Sequence, residues 1–342
     1  MRMRFMTGLA GERLGDAERC FLRDSEPAGL ILFTRNCRSR EQVRRLVGEA
    51  LDAVGHDDTL VAIDQEGGRV QRLLPPEWRA YPPMAAFGRW YEQAPETATE
   101  AARRVASLIA ADLTDVGCNM NCVPVLDLPA RGADPIIGPR AFSTVPEVVA
   151  ALGAAIADGC RDGGVCPVGK HVPGHGRATA DSHVSLPVVD ADRDELEGHD
   201  FVPFRMLARL PAMMTAHVLY SKIDDGRPAS QSAFVHSDII RGAMGFNGLL
   251  ISDDLSMGAL EGPMDRRAEA VIAAGTDIAL HCNGTLAEME AVAAAVPRLE
   301  GDARQRAEAC FQATRFGSIL DREAALDALR EALTFADGAA SR

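Results

Sequence analysis

The chain has 342 residues, 47% hydrophobic and 25% charged, enough apolar content to bury the core of one large domain or two ordinary ones. Its formal net charge of −13 argues against nucleic-acid and anionic-membrane partners, both of which need a basic face. No apolar run approaches the roughly 20 residues of a membrane span, and the opening MRMRFMTGLAG lacks the apolar core and cleavage site of a signal peptide.

Short apolar runs alternate with helical patterns along almost the whole length. The runs are RFMTGLAG (4–11), GLILFTRN (29–36), TLVAIDQEGG (59–68), CNMNCVPVLDL (118–128), VCPVGKH (165–171), PAMMTAHVLY (211–220), GLLISDDL (248–255) and TDIALHCN (276–283). They are continuous rather than alternating, as expected of strands buried on both faces. Between them, Val43, Leu46, Val47, Ala50, Leu51 and Val54 form one helical stripe, with Ser39 and Gln42 as a capping box and Gly55 as the stop. The same S/T-x-x-E start pattern recurs at Thr97/Glu100, Thr144/Glu147 and Thr285/Glu288. The stretch 75–96 holds both tryptophans and reads either as a sugar-stacking platform or as a self-packed loop. Residues 302–335 form an amphipathic helical segment expected on the barrel exterior, followed by a frayed end.

Eight strand–helix units predict an α/β protein, a (β/α)8 TIM barrel forming a single domain over 1–342. The competing doubly wound sheet is disfavoured because no G-x-G-x-x-G follows any strand. A barrel places its chemistry just past the carboxyl ends of the strands. There the sequence sets Asp64, Asn121 to Asp127, Lys170, His171, His217, Asp253, Asp254 and His281 to Asn283.

Eight cysteines without a C-x-x-C pair fit reduced thiols in a cytoplasmic protein. Cys118 and Cys122 have no second ligand pair at matching spacing to make a zinc site. In DQEGGRVQRL (64–73), Asp64 ends a strand as a candidate substrate-binding carboxylate. Gly67 and Gly68 let the backbone turn close to a ligand, and Arg69 and Arg72 reach one side of the site. The common alternative for such a run is a tight turn with solvated arginines. In ISDDLSMGAL (251–260), two aspartates at a buried strand end are costly unless they cap a turn or do chemistry. Asp253 is expected in the barrel mouth and Asp254 on the following turn.

GKHVPGHGRATADSHVSLP (169–187) admits three readings. A metal site on His171, His175 and His183 needs a helix to align the first two rings, and Pro173-Gly174 breaks any helix. A Schiff-base lysine at Lys170 needs an apolar setting that its neighbours do not supply. The third is a mobile glycine-rich loop in which Asp181 and His183 form a proton-transfer dyad at i, i+2 spacing.

DQEGGRVQRL, NCVPVLDL, IGPRAFS, GKHVPGHGRATADSHVSLP, MTAHVLY and ISDDLSM occur in this order. Over about residues 5–295 the chain thereby resembles the single-domain β-N-acetylhexosaminidases of glycoside hydrolase family 3, the bacterial peptidoglycan-recycling type. The resemblance implies a cytoplasmic barrel that removes terminal β-linked N-acetylglucosamine from muropeptide fragments with retention of configuration. Asp253 then corresponds to the nucleophile and His183, held by Asp181, to the acid/base. Asp64, Arg72, Arg140, Lys170 and His171 fall at sugar-binding positions. No metal or cofactor is implied, and the only expected partner is the small-molecule substrate of a monomeric enzyme. Val172, where phenylalanine is usual, and YSKID at 220–224, where proline often follows the tyrosine, depart from the pattern.

Overall fold

The computed structural model describes residues 2–314, 317 and 320–337. In chain order the elements are β1 (Met3–Gly8), α1 (Asp16–Ser25), β2 (Pro27–Leu32), α2 (Arg40–Val54), β3 (Leu60–Ile63), α3 (Met84–Tyr91), α4 (Pro95–Asp115) and β4 (Met120–Asn121). There follow α5 (Pro146–Asp162), β5 (Cys166–Val172), β6 (Val188–Val189), α6 (Arg193–Gly198), α7 (Val202–Met206), β7 (Ala212–Thr215), β8 (Leu219–Tyr220) and β9 (Leu249–Asp254). The last are α8 (Met264–Ala274), β10 (Ile278–His281), α9 (Leu286–Ala295), α10 (Gly301–Gln312) and α11 (Arg322–Asp337).

Eight parallel strands close a barrel in the order β1-β10-β9-β7-β5-β4-β3-β2, the (β/α)8 architecture expected of the alternating pattern. Each predicted apolar run supplies one barrel strand. The unforeseen β6 and β8 pair with each other outside the barrel.

The unbroken hydrophobicity of the strands has a direct cause: alternate residues serve two cores. Met6, Leu60, Ala62, Met120, Cys166, Val168, Leu249, Ile251, Ile278 and Leu280 fill the barrel interior. Phe5, Leu30, Val61, Ile63, Met213, Leu250 and Ala279 pack into the second, larger cluster with helical residues such as Val43, Leu46, Val105 and Val271. Cys118, ahead of β4, packs in the outer cluster and Cys122 in the inner one, so the two thiols do not share a site.

Helix starts were only partly legible. The Ser39 hydroxyl accepts from the Gln42 N–H, and Thr285/Glu288 form a complete capping box. Gly55 ends α2 at φ 75°. The other two start patterns mislead: α4 begins at Pro95 and α5 at Pro146. Proline at the first helical position has its φ preset and no N–H to leave unpaired, so it overrides the nearby threonines, and Thr97 lies inside α4.

The carboxyl-terminal segment is two helices with different tasks. Leu299, Ala303, Ala307 and Cys310 join the inner cluster, so α10 closes the amino end of the barrel rather than lying on its exterior. Arg306 Nη1 reaches Asp277 Oδ1 at 3.0 Å, and Arg241 Nη2 reaches Asp277 Oδ2 at 3.0 Å. Helix α11 packs outside, where Phe335 stacks on Trp90 with ring centroids 5.1 Å apart. The expected frayed end falls on 338–342, outside the described residues. Trp78, Tyr81 and Trp90 are buried, so the 75–96 stretch packs on itself and on α4 and offers no sugar platform.

Candidate active site

Strand parity runs on into the barrel mouth. After Leu60 and Ala62 the next inward position is Asp64; after Cys166 and Val168 it is Lys170; after Leu249 and Ile251 it is Asp253. All three line one cavity at the carboxyl end, with Phe33, Arg72, Arg140, His171, His175 and His183. Asp254 has the opposite parity. Its carboxylate accepts the backbone N–H groups of Ser256 and Cys282 at 2.9 Å each and the Asn283 amide at 3.3 Å. It fastens the turn, as expected, and leaves Asp253 to the cavity.

The floor is a charge network. Lys170 Nζ lies 2.7 Å from Asp64 Oδ1 and 2.7 Å from Glu66 Oε1. Arg140 grips both Glu66 oxygens at 2.9 Å, and Arg72 Nη2 meets Asp64 Oδ2 at 3.1 Å. Burial opposes the charge of Asp64 and of Glu66, yet the adjacent cations hold both carboxyls below their ordinary values. Burial likewise works against the Lys170 ammonium, but Asp64 and Glu66 outweigh it and raise its pKa. Lys170 is only 2% exposed, a burial its neighbours in sequence did not announce. The two carboxylates make it a fixed cation rather than a Schiff-base nucleophile.

Beside this network, Asp127 collects two histidines. Its carboxylate holds His171 Nδ1 at 2.6 Å and the backbone N–H groups of His171 and His175 at 3.2 and 2.7 Å. Burial would raise the Asp127 carboxyl, but these partners hold it down at about 2. An acceptor on Nδ1 leaves His171 Nε2 to face the cavity. The His171 and His175 rings meet edge to face at 5.7 Å, with different partners. Among the described residues no cluster of three or more His, Cys, Asp or Glu side chains is arranged to hold a metal ion.

Asp181 and His183 form the dyad that their spacing allowed. Asp181 Oδ1 accepts the His183 backbone N–H at 2.9 Å and lies 2.7 Å from Nδ1 of the ring. Burial would raise the Asp181 carboxyl, but the His183 N–H and ring hold it below the ordinary value. The His183 side chain is 62% exposed and lines the cavity from its rim.

One glycine of this loop answers to close packing. A Cβ on Gly176 would lie 1.9 Å from the Leu128 carbonyl oxygen, so glycine is required there by close packing. Residues 172–176 are buried, and Ala130 N–H bonds Gly176 O at 2.9 Å. Only the stretch after Ala178 is largely exposed. Val172 is fully buried. The Gly67 turn is similar: its Cβ would sit 2.2 Å from Pro82 O, so close approach of its own chain, not of a ligand, demands glycine. Arg69 lines the cavity with Arg72, as expected, and ties the carbonyls of Pro135 and Ile136.

Asp253 has its Oδ1 on the Asp254 N–H at 2.8 Å. Burial opposes its charge, while His171, His217, that N–H and Lys170 keep the carboxyl ionised below its ordinary range. Behind it, His217 is wholly buried between Ser230 Oγ at 2.7 Å and Asp254 O at 3.1 Å, and burial pushes its pKa down. The structure thus gathers every sequence-predicted residue: Asp64, Arg72, Arg140, Lys170, His171, His183 and Asp253 line the cavity, and Asp181 holds His183. Sequence reasoning had placed Asp127 and His217 at the strand ends without giving either a role, and had not singled out Glu66. Glu66 stood two residues from Asp64, and Asp127 was a lone charge in VPVLDL, signals that became readable only with their cross-strand partners.

Residues 4–312 match the model of the glycosyl hydrolase family 3 N terminal domain. A β-hexosaminidase of Alkalilimnicola ehrlichii is 44% identical over 81% of this chain and 80% of its own. One of Methylococcus capsulatus is 41% identical over 94% of both. The crystal structure of NagZ from Neisseria gonorrhoeae in complex with N-trifluoroacetyl-D-glucosamine superposes with a TM-score of 0.84 at 33% identity, covering 99% of this chain and 98% of that one. The chain belongs to glycosyl hydrolase family 3 and is a glycoside hydrolase of the β-hexosaminidase type.

Proposed function

We propose that the protein is a retaining exo-β-N-acetylglucosaminidase that removes terminal β-linked N-acetylglucosamine from cytoplasmic peptidoglycan fragments. The observation that carries this reading is a buried, ionised Asp253 in the same cavity as a rim imidazole backed by a carboxylate. In the first step an Asp253 oxygen attacks the anomeric carbon while the glycosidic C–O bond breaks. The departing oxygen takes the Nε2 proton of the His183 imidazolium, whose Nδ1–H is oriented by Asp181. In the second step neutral His183 takes a proton from water as that water displaces Asp253 from the sugar, restoring both groups. Lys170, Asp64, Arg72, Arg140 and His171 hold the sugar hydroxyls and acetamido group.

A histidine acid/base repels a nearby anion less than a second carboxylate would. This suits anionic wall fragments, and it equally admits phosphate in place of water. We take the enzyme to act as a monomer on small molecules; the free cysteines and the net charge of −13 support a reducing compartment away from nucleic acid and membrane. Among the described residues no helix is long and apolar enough to cross a membrane.

The test is turnover of a 4-nitrophenyl β-N-acetylglucosaminide in chelator, followed by NMR of the first-formed anomer. Release of the β-anomer supports the reading; inactivity or an α-product overturns it. Running the reaction with and without phosphate separates hydrolysis, giving free sugar, from phosphorolysis, giving sugar 1-phosphate.

A further inference from the structure

Among the described residues, one side-chain hydrogen bond attaches the acid/base loop to the cavity wall. His175 Nε2 lies 3.0 Å from Ser182 Oγ, and Ser182 is the residue between Asp181 and His183. Its burial differs from theirs: Ser182 is 3% exposed, whereas the His183 side chain is 62% exposed. The loop therefore turns its serine down onto His175 and its histidine out over the cavity.

His175 is itself anchored from the opposite direction. Its backbone N–H bonds Asp127 Oδ1 at 2.7 Å, the carboxylate that also holds His171 Nδ1 at 2.6 Å. Its other ring nitrogen, Nδ1, is buried without a hydrogen-bond partner. The contact to Ser182 is thus the one hydrogen bond this buried ring makes among the described residues. Lifting the loop strips the imidazole of that bond, and an unpaired buried polar group is unfavourable. The loop tip also receives the Gly258 and Ala259 N–H groups on the carbonyls of His183 and Ser182, both at 3.1 Å. Those backbone bonds set its height; the side-chain bond ties it to the sugar-binding wall.

We propose that His175 and Ser182 form a latch that holds the Asp181–His183 dyad over the cavity, so that His175 is a positioning residue for proton transfer. The latch rests on the reading of His183 as the acid/base. Through Asp127 it joins the imidazole at the sugar-binding wall, His171, to the group that protonates the leaving oxygen.

The experiment compares His175→Ala, Ser182→Ala and His183→Ala, with His175→Gln as the conservative variant, on a phenyl and a 2,4-dinitrophenyl β-N-acetylglucosaminide. Circular dichroism and thermal melting confirm folding of each variant. With a latch, His175→Ala and Ser182→Ala lose at least about tenfold in kcat/KM on the phenyl substrate, which needs protonation, and less than about threefold on the dinitrophenyl one. His175→Gln, which keeps a donor, recovers most of the loss. Equal losses on both substrates, or none, in the His175 and Ser182 variants overturn the latch while His183→Ala still discriminates between leaving groups. If His183→Ala itself fails to discriminate, the acid/base reading falls and takes the latch with it.

Discussion

The two ends of the barrel handle buried charge in opposite ways. At the amino end, Asp277 is 2% exposed and fully engaged: Arg241, Arg306 and the Leu250 N–H take its oxygens at 3.0, 3.0 and 2.9 Å. Helix α10 then seals that end with Ala303, Ala307 and Cys310. At the carboxyl end, among the described residues, Arg72 Nε and His175 Nδ1, both on side chains that line the cavity, are buried without a protein partner. Folding normally pairs such groups. Paired charge at one end serves cohesion. Unmatched polar atoms beside an ionised Asp253 mark the end reserved for a substrate.

Substitutions at each end test that contrast. The largest effect is expected from Asp253→Ala, which removes the attacking oxygen and lowers kcat by at least about a thousandfold; a smaller loss, measured with the protein folded, removes Asp253 from the nucleophile role. Next is Lys170→Met. It leaves Asp64 and Glu66 facing each other without their shared cation, and it should cost about 3–5 kcal/mol in denaturant unfolding as well as sugar binding. Stability within about 1 kcal/mol of the parent would show that Arg72 and Arg140 suffice alone.

The same carboxylates set the acid response. Asp64, Glu66 and Asp127 all have pKa values held below the ordinary carboxylate range in the folded chain. Their contribution to stability is therefore complete above the unfolded values of about 4 and is lost as pH falls through the folded ones. Unfolding free energy should stay level with respect to these groups above about pH 5 and decline below about pH 4, and in Lys170→Met, which raises the folded values of Asp64 and Glu66 toward the unfolded ones, the decline should be smaller. Acid titration by circular dichroism reads both.

At the amino end, Arg306→Met should cost about 1–3 kcal/mol by leaving Asp277 to Arg241 alone, with kcat/KM unchanged in the folded fraction. An altered KM would mean that the plug communicates with the cavity, and the contrast between the ends would blur. The smallest effect is expected at Thr285→Ala, which removes a capping box for about 1 kcal/mol of stability and leaves catalysis intact.

How much was legible is best judged from particular residues. The carboxyl ends of the expected strands placed Asp64, Lys170 and Asp253 at the barrel mouth, and the i, i+2 dyad at Asp181 and His183 needed only a local turn. Burial of Lys170 was not readable, because its two carboxylates come from a strand end 106 and 104 residues away. The close packing of Gly176 was not readable for a similar reason. Gly174 and Gly176 look like flexible positions until Leu128, on a different strand–helix unit, is found packed against one of them.

The sequence by itself determined the class of fold, the end of the barrel at which chemistry sits, and which of two adjacent aspartates faces it. These follow from periodicity and strand order, which are local properties of the chain. Only the tertiary structure decided the partners: Glu66 beside Lys170, Asp127 under His171 and His175, His217 behind Asp253, and α10 beneath the barrel. Those contacts join residues remote in sequence, and closure of the barrel is what brings them within hydrogen-bonding distance.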